Sequence, residues 1–402
     1  MKRVLLAVVC LITLFAAGSE NVTGPMYTGP EEQKVNVTLV FPEAEETPLP
    51  EPTPEPTPEP TPVPTVKLEP TVVTVLAAGD LMCLSAQLNT ARKRGEYEFD
   101  YCFEQIKEKV SAADLAIANF ETLVAEGYPY TGPSPENGNP RLNAPESYLS
   151  AVVKCGFDAL INANNHIFDR KTDGADKTIK KIDEYGVYHT GAYATGEERL
   201  PLVIDVKGVK VGILAYTDHL NGGGRGNGMI NMYNEELIAS DLAEIKAAGA
   251  DYTIVYMHWG RENTHKVTKA QKTSAEFVAT KGADIIIGSH PHCTQGSEFI
   301  ETSRGPVPVF YSLGNLISSM GRTINKDSFL VNMTLEKDAV TGEVELKELT
   351  YTPTLCAGTE AGNFVILPAD LASISLSSKA SALEASRNRT IKVVGNAVAK
   401  PE

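Results

Sequence analysis

Basic residues are in short supply in this chain of 402 residues. It contains 36 lysines and arginines against 51 aspartates and glutamates, which gives a formal net charge of −15 at pH 7. A chain with this balance repels nucleic acid and anionic membrane surfaces, so neither is expected as its main partner. An anionic substrate is not excluded, because bound metal ions would reverse the sign of the local charge.

Cysteine is also scarce, and its spacing shows no repeat. The six cysteines are Cys10, Cys83, Cys102, Cys155, Cys293 and Cys356. Without the N-terminal segment an odd number remains, which argues against a disulfide framework. Cys293 adjoins His292 and could be a thiolate ligand, but a small buried hydrophobic residue is the favoured interpretation.

The apolar run at the N-terminus is too short for a typical membrane span. Residues 4–18 follow Lys2-Arg3 and fall short of the about 20 apolar residues that a membrane helix needs. Small residues at 16–19 offer a cleavage site. We therefore predict a signal peptide at residues 1–19, with an uncleaved membrane anchor as the alternative. In both cases the rest of the chain is exported and faces the cell surface.

Residues 20–70 are predicted to form a disordered stalk. The segment is first acidic, and proline then occupies every second position over residues 52–62. This alternation prevents both helix and sheet and favours an extended polyproline II spacer. The remaining chain, with 42% hydrophobic residues overall, is predicted to contain one globular domain at 71–395 and a short tail at 396–402.

Apolar segments typical of strands alternate with helical patterns along this domain. The predicted strands are 72–78, 114–118, 157–161, 252–257, 283–287 and 307–313. The predicted helices are 147–155, 176–185, 235–248 and 270–281. Such alternation indicates an α/β fold with much parallel pairing. Beyond it, residues 329–335 and 344–349 are predicted to pair as an antiparallel hairpin, and a helix over about 369–386 to close the domain.

Polar side chains that can bind metals follow the strands. The clusters are Gly79-Asp80, Asn119-Phe120-Glu121, Asn164-Asn165-His166, His258-Trp259-Gly260 and Gly288-Ser289-His290-Pro291-His292. The carboxyl ends of parallel strands are where functional groups gather in such folds. Carboxylate, amide and imidazole together suit a divalent metal pair, and histidines two positions apart on a tight loop can each bind a different metal. A metal-dependent site is therefore the leading prediction.

Each of these residues also has a simpler interpretation. Asp80 could cap the following helix, Glu121 could be an exposed turn carboxylate, and His258 could be a hydrogen-bonded core histidine.

Two further residues could support the site. Glu262 could orient an imidazole that binds the metal without binding the metal itself. Arg141 could bind an anionic substrate group in bidentate fashion, with a surface salt bridge as the alternative.

Other conspicuous residues are predicted to have structural roles. His189, His219 and His265 lack a surrounding motif, and Trp259 is expected to pack in the core. The glycine-rich stretch at 222–226 lacks the lysine and the serine or threonine of a phosphate-binding P-loop. A flexible loop over the site is the preferred interpretation of that stretch.

Seven ordered motifs resemble the capsule synthesis protein CapA family, also called the poly-γ-glutamate biosynthesis family. They are Ala78-Gly79-Asp80-Leu81-Met82, Asn119-Phe120-Glu121, Arg141-Leu142-Asn143-Ala144-Pro145, Ala163-Asn164-Asn165-His166, His258-Trp259-Gly260-Arg261-Glu262, Gly288-Ser289-His290-Pro291-His292 and Tyr311-Ser312-Leu313-Gly314-Asn315. The similarity covers roughly residues 72–355. It implies a branch of the calcineurin-like metallophosphoesterases, with an α/β sandwich of mixed sheets flanked by helices.

The resemblance also implies roles for individual residues. It assigns Asp80 and His292 to one metal and Asn165, His258 and His290 to the other, and it makes Glu121 the bridging ligand. One or two divalent ions, Mn, Zn or Fe, would be bound. His166 would protonate a leaving group or stabilise charge on the substrate.

Two positions depart from the pattern that the resemblance implies. Met82 stands where the superfamily has a histidine, so the metal at Asp80 loses an imidazole and would bind more weakly or be absent. Ser289 stands where the family often has histidine, which is expected to change little.

The resemblance implies a role in making or exporting an anionic capsule polymer, poly-γ-glutamate, at the cell envelope. Membrane-bound polymer synthase subunits are the expected partners, and nucleic acid is not. The main hypothesis is an envelope-anchored or secreted protein of the capsule polymer pathway with a metal-dependent hydrolase site, whose substrate is the polymer or a phosphoester. The alternatives are a non-catalytic scaffold that binds the polymer, and a secreted metal-dependent phosphoesterase without a polymer role.

Overall fold

The computed structural model describes residues 68–402 apart from 94–95, 134–137, 222–227 and 359–362. Its strands are β1 (Thr71–Leu81), β2 (Leu115–Phe120), β3 (Ala159–Ile161), β4 (Tyr188–Thr190), β5 (Leu202–Val206), β6 (Val209–Thr217), β7 (Tyr252–His258), β8 (Ile285–Ser289), β9 (Ser297–Thr302), β10 (Gly305–Phe310), β11 (Asn315–Ile317), β12 (Asp327–Lys337), β13 (Val344–Ala357), β14 (Val365–Pro368) and β15 (Lys400–Pro401). Its helices are α1 (Ser85–Lys93), α2 (Asp100–Phe103), α3 (Lys107–Ala112), α4 (Glu146–Cys155), α5 (Lys171–Glu184), α6 (Glu235–Ala247), α7 (Lys269–Lys281), α8 (Leu371–Leu376) and α9 (Ala380–Val394), with a 3₁₀ turn at Thr323–Asn325.

The predicted signal peptide or anchor, nearly all of the predicted stalk and the glycine-rich stretch at 222–226 lie outside the described residues. None of the helices in the described part of the chain combines the length and the apolar character that crossing a bilayer requires.

The strands form two mixed sheets. In the first sheet the order is β14-β13-β12-β1-β2-β3-β4, with β11 beside β1 and β15 beside β13. Strands β1 to β4 run parallel, whereas β12, β13 and β14 add antiparallel pairs. In the second sheet the order is β5-β6-β7-β8-β10-β9, with a parallel centre from β6 to β10 and antiparallel edges.

The two sheets pack face to face, and helices cover their outer faces. One buried cluster joins Val75 and Ile117 of the first sheet to Ile213 and Ile254 of the second. The alternate residues of β1 and β2 face a layer formed by α1 to α4, and those of β6 to β8 face α6 and α7. Because both faces of the central strands are buried, their sequences read as continuous apolar runs.

This architecture confirms the predicted α/β class, with mixed sheets flanked by helices. The predicted hairpin is present as the antiparallel pair of β12 and β13. The five described cysteines are all buried and free, and burial raises the pKa of Cys293 to about 12, in keeping with its interpretation as a core residue.

The prediction of a single helix over 369–386 is wrong. Two helices, α8 and α9, occupy this region, and the backbone at Ser377 is extended between them. The Ser377 hydroxyl accepts a hydrogen bond from the backbone of Lys379 at 3.0 Å, an alternative to helical pairing that serine offers readily. The segment predicted as a tail contains β15, which pairs with β13.

Candidate metal centre

The carboxyl ends of strands from both sheets meet at one edge of the sandwich. Asp80 lies near the end of β1, Glu121 directly follows β2, and Asn165 follows β3, all in the first sheet. From the second sheet, His258 ends β7, and the loop after β8 carries His290 and His292. All six of these predicted ligands are buried.

In the described part of the chain, three groups of side chains bring potential metal ligands within 4.8 Å of one another. They are Glu121 with His258 and His290, Glu262 with His290 and His292, and Asp80 with Glu121 and His292. Asn165 joins the first group, because its Oδ1 lies 2.9 Å from Nε2 of His258. The shared members connect the groups, so all six predicted ligands meet in one cluster.

Glu121 lies between the groups. Its Oε1 is 3.7 Å from Nε2 of His258 and 3.7 Å from Nε2 of His292. This carboxylate therefore faces both sets of imidazoles, which is the position that a bridging ligand needs.

The cluster contains buried polar atoms that lack hydrogen-bond partners among the described residues. They are Oδ2 of Asp80, Oε1 of Glu121 and Nδ1 of His290. Leaving such atoms unpaired costs free energy, about 1–3 kcal/mol each and more for charged groups. A divalent cation would satisfy the two carboxylate oxygens, and the donor set of carboxylate, amide and imidazole fits Mn, Zn or Fe.

Burial and neighbouring charges shift the pKa values of the clustered groups in two directions. Burial, and then the neighbouring imidazoles, hold the pKa values of His258 and His290 well below the usual range, so both rings are neutral as metal ligands must be. Burial raises the pKa of Glu121, and the negative charge of Asp80 adds to this while His292 opposes it. Burial would lower the pKa of His292, but Glu121 and Asp80 raise it to about 9.

Several amide and hydroxyl groups hold the predicted ligands in place. Asn119 donates from Nδ2 to Asp80 at 2.8 Å and to Glu121 at 3.2 Å. The Ser289 hydroxyl lies 2.9 Å from Nδ1 of His258. Asn315 lies 3.0 Å from Nδ1 of His292. The sequence predictions gave none of these groups a role, although each belongs to a motif that the sequence presents. Ser289 thus orients the predicted ligand His258.

His166 lies beside this cluster and is paired with Asp169. Nδ1 of His166 is 2.6 Å from Oδ2 of Asp169, and a carboxylate can only accept, so Nδ1 carries the proton. The same oxygen accepts from the backbone of Leu142 at 2.6 Å. Asn221 lies 3.2 Å from Nδ1 of His166 and accepts from Asn165 at 3.2 Å. Sequence reasoning missed Asp169, which stands three residues after His166 on the same turn.

His219 also reaches the cluster. Its ring centroid lies 4.1 Å from that of His290 and 6.3 Å from that of His258. Asp218 binds its Nδ1 and also accepts from the backbone of Gly260 at 3.2 Å. The prediction that His219 is structural rested on its lack of a motif. The sequence does contain a signal for His219, because Asp218-His219 directly follows the apolar run of β6. That run is not among the strands predicted from the sequence.

The remaining predicted residues lie at the border of the centre. Glu262 approaches His290 and His292 closely enough to be a ligand itself. Arg141 is exposed and lines cavities next to Asp169, and the structure gives its side chain no salt bridge among the described residues.

Two other residues that the sequence analysis singled out lie in the core. Met82 is buried, and Trp259 packs in the core with its ring stacked on Tyr311.

The backbone around the histidine loop is strained and tightly packed. His290 and His292 adopt φ angles of 92° and 55°, a region that residues other than glycine rarely occupy. Such strain is typical of functional sites, where the surrounding structure maintains it. At Gly288, a Cβ atom would lie 2.0 Å from the carbonyl oxygen of Tyr311 and 2.8 Å from Nε1 of Trp259.

We expect Gly288→Ala to destabilise the protein by about 3 kcal/mol, because the new methyl group must displace the Tyr311 backbone. Urea denaturation would measure the change in the free energy of unfolding. Gly321→Ala is the matched control, since a Cβ there meets nothing within 4 Å. Equal unfolding midpoints for the two variants would contradict this packing argument.

A family model described as the bacterial capsule synthesis protein PGA_cap matches residues 74–320 of this chain. The chain belongs to this family. The match confirms the resemblance found in the seven motifs and covers the strands that supply every predicted metal ligand.

Two relatives carry names from the same family. The capsule biosynthesis protein CapA of Bacillus anthracis is 31% identical over 64% of this chain and 63% of its own length. The PGA biosynthesis protein CapA of Bacillus subtilis is 28% identical over 68% of this chain and 70% of its own length. The chain thus spans slightly less than two thirds of the first relative.

Among solved structures, the calcineurin-like phosphoesterase YfkN from Bacillus subtilis aligns with 81% of this chain and 98% of its own. The TM-score is 0.40 and the sequence identity is 16%.

Proposed function

We propose that this member of the PGA_cap family is exported and acts at the cell envelope in the synthesis or export of a poly-γ-glutamate capsule polymer, using a metal-dependent hydrolytic site. One observation carries the catalytic part: Glu121 faces two sets of imidazoles with a buried oxygen that accepts no hydrogen bond among the described residues, beside the His166–Asp169 pair. The names of the two CapA relatives support the polymer role.

Asp80, Glu121, Asn165, His258, His290 and His292 would hold one or two divalent ions. When bound, such ions lower the pKa of a coordinated water and polarise a phosphoryl or acyl oxygen.

The chain's own residues would supply the rest of the chemistry. Asp169 holds the His166 ring in one tautomer, so that Nε2 is the atom available for proton transfer. As a general acid, His166 would hold a second proton on Nε2 and pass it to the leaving oxygen of a phosphoester, or to the leaving nitrogen of an amide, as the bond to it breaks. The ring would then be left neutral, with its Nδ1–H still bound to Asp169. Arg141 would bind an anionic group of the substrate.

The proposed organisation matches this role. The signal or anchor at 1–19 would direct export, and the proline-rich stalk would separate the domain from the membrane. Membrane-bound polymer synthase subunits are the proposed partners.

A non-catalytic scaffold is the second candidate, and Met82 favours it. This residue is buried and stands where the superfamily supplies an imidazole, so the group around Asp80 has one ligand fewer. A screen of the full chain against phosphoesters and γ-linked polyglutamate separates the candidates. Hydrolysis of the polymer supports the proposal, turnover of phosphoesters alone supports a phosphoesterase without a polymer role, and polymer binding without turnover supports the scaffold.

We expect the full chain to bind one or two Mn, Zn or Fe ions, because the buried carboxylates of Asp80 and Glu121 need a cation nearby. Metal analysis after mild purification, and reloading after chelation, would measure the stoichiometry. Glu121→Gln should lose metal, whereas the same change at the exposed Glu301 should not. A metal-free protein that resists reloading would refute the metal centre.

A further inference from the structure

Three neighbouring cavities extend outward from the His166 side of the metal centre. The inner one, of 380 Å³, is lined by Phe168 and by Asn221, which contacts His166. It shares Arg141 and Lys171 with a middle cavity of 670 Å³. The middle cavity in turn shares Pro133 with an outer one of 720 Å³. We call this succession the groove.

The groove is basic, although the chain as a whole is acidic. Its described lining residues include five cations and one acidic side chain. The cations are Arg92, Lys93, Arg141, Arg170 and Lys171. The acidic side chain is Asp169, whose Oδ2 is already engaged by His166 and by the backbone of Leu142.

Four of these cations are available to a ligand. Within the described ranges, no ion pair involves the side chains of Arg92, Lys93, Arg141 or Lys171, and all four residues are exposed. On a chain with a net charge of −15, such unpaired cations along one groove indicate an anionic ligand.

The middle of the groove has a preformed wall. Nη2 of Arg170 donates to the carbonyl oxygens of Pro129 at 2.9 Å and Arg141 at 3.0 Å, so it ties two wall segments together. The Tyr130 ring packs edge-on against Tyr97 with centroids 5.2 Å apart. Lys171 begins α5 with a φ of 59°, and the positive end of the helix dipole adds to the local potential.

We propose that the groove binds a linear polycarboxylate and directs one part of it toward His166. This inference rests on the proposed function and specifies how the polymer is held. The cations at the inner and outer ends are separated by apolar surface from Tyr128, Tyr130 and Pro133. A γ-linked glutamate chain alternates carboxylates with methylene groups in the same way. Inorganic polyphosphate has no apolar segments to place on this wall.

Binding of fluorescent γ-linked polyglutamate and of a γ-linked glutamate tripeptide to the full chain, with Mn²⁺ present, tests the groove. A His166→Asn background slows turnover during the measurement. The inner pair is changed as Arg141→Gln with Lys171→Gln, and the outer pair as Arg92→Gln with Lys93→Gln. The control is Lys246→Gln with Lys281→Gln, an exposed pair that lines a cavity between α6 and α7 at the opposite edge of the second sheet.

We expect both groove pairs to weaken binding of the long polymer by about tenfold or more, since each loses two charge-assisted contacts. The tripeptide should depend more on the inner pair than on the outer pair, because the inner pair lines the same cavity as Asn221, which contacts His166. Polyphosphate of matched charge should displace the polymer less effectively than unlabelled polyglutamate does.

If the inner, outer and control double substitutions weaken polymer binding equally, binding depends on overall charge alone. That result would overturn the groove as the binding site and leave the proposed function intact. Stronger displacement by polyphosphate would overturn the assignment to a polycarboxylate. A wild-type chain that binds neither form of γ-linked glutamate would instead refute the polymer role itself.

Discussion

His166→Asn is expected to keep its metal and its fold while turnover falls by about 10²–10⁴-fold, the range that a general acid contributes. The ring is next to the ligand cluster but does not belong to any of the three ligand groups. Asp169 retains the backbone hydrogen bond from Leu142 in the variant, so its carboxylate is not left without a partner. Steady-state kinetics on the substrate found in the screen, together with metal content, would measure both effects.

His189→Asn is the matched control for this variant. The imidazole of His189 is 8% exposed, against 4% for that of His166. It pairs with Asp183 and Glu197 and lies outside the ligand groups. Its variant should keep both metal and turnover. A loss of metal in His166→Asn would show that this residue is a ligand and that its assigned role is wrong.

His258→Ala is expected to weaken metal binding by more than about 100-fold. Substituting a residue that only supports a ligand typically weakens binding by about 10–100-fold. The variant also leaves the Ser289 hydroxyl and Oδ1 of Asn165 without their imidazole partner, at about 1–3 kcal/mol of stability. Mn²⁺ titration by calorimetry would report the affinity. The rise in melting temperature that metal gives the wild type should disappear, because that rise depends on binding to the folded state.

His189→Ala controls for the loss of a buried imidazole as such. It should bind metal like the wild type, whatever its stability. If His258→Ala and His166→Asn leave turnover unchanged while polymer binding persists, the centre is not catalytic and the protein is a scaffold. Full metal affinity in His258→Ala would mean that the ligand set is centred elsewhere, on His290 and His292.

Much of the architecture could be predicted because the central strands are buried on both faces. A continuous apolar run as short as that of β8 indicates a buried strand when helices alternate with such runs along the chain. The position of the ligands followed from the same pattern, since parallel strands end at a common edge. The two sheets and their face-to-face packing could not be derived this way, because apolar runs do not record which strand pairs with which.

The missed residues share a physical cause. Asp169 and Asn221 stand on turns, where polar residues are common whether or not they have a function. Their proximity to His166 depends on how the loops after β3 and β6 fold toward each other. His219 was missed for a different reason, because a partly exposed histidine without its strand looks like ordinary surface. The break at Ser377 reflects one side-chain hydrogen bond that helix propensity does not include.

Strand β1 has neighbours from opposite ends of the domain, with Val75 paired to Leu115 on one side and to Met333 on the other. Pairings between segments so distant in sequence form slowly, because closing the long loop costs entropy before any contact offsets it. The strand that carries Asp80 therefore stays unpaired along most of one side until β12 joins the sheet. Assembly of the complete sheet around the centre thus depends on a strand that follows every predicted ligand in the chain.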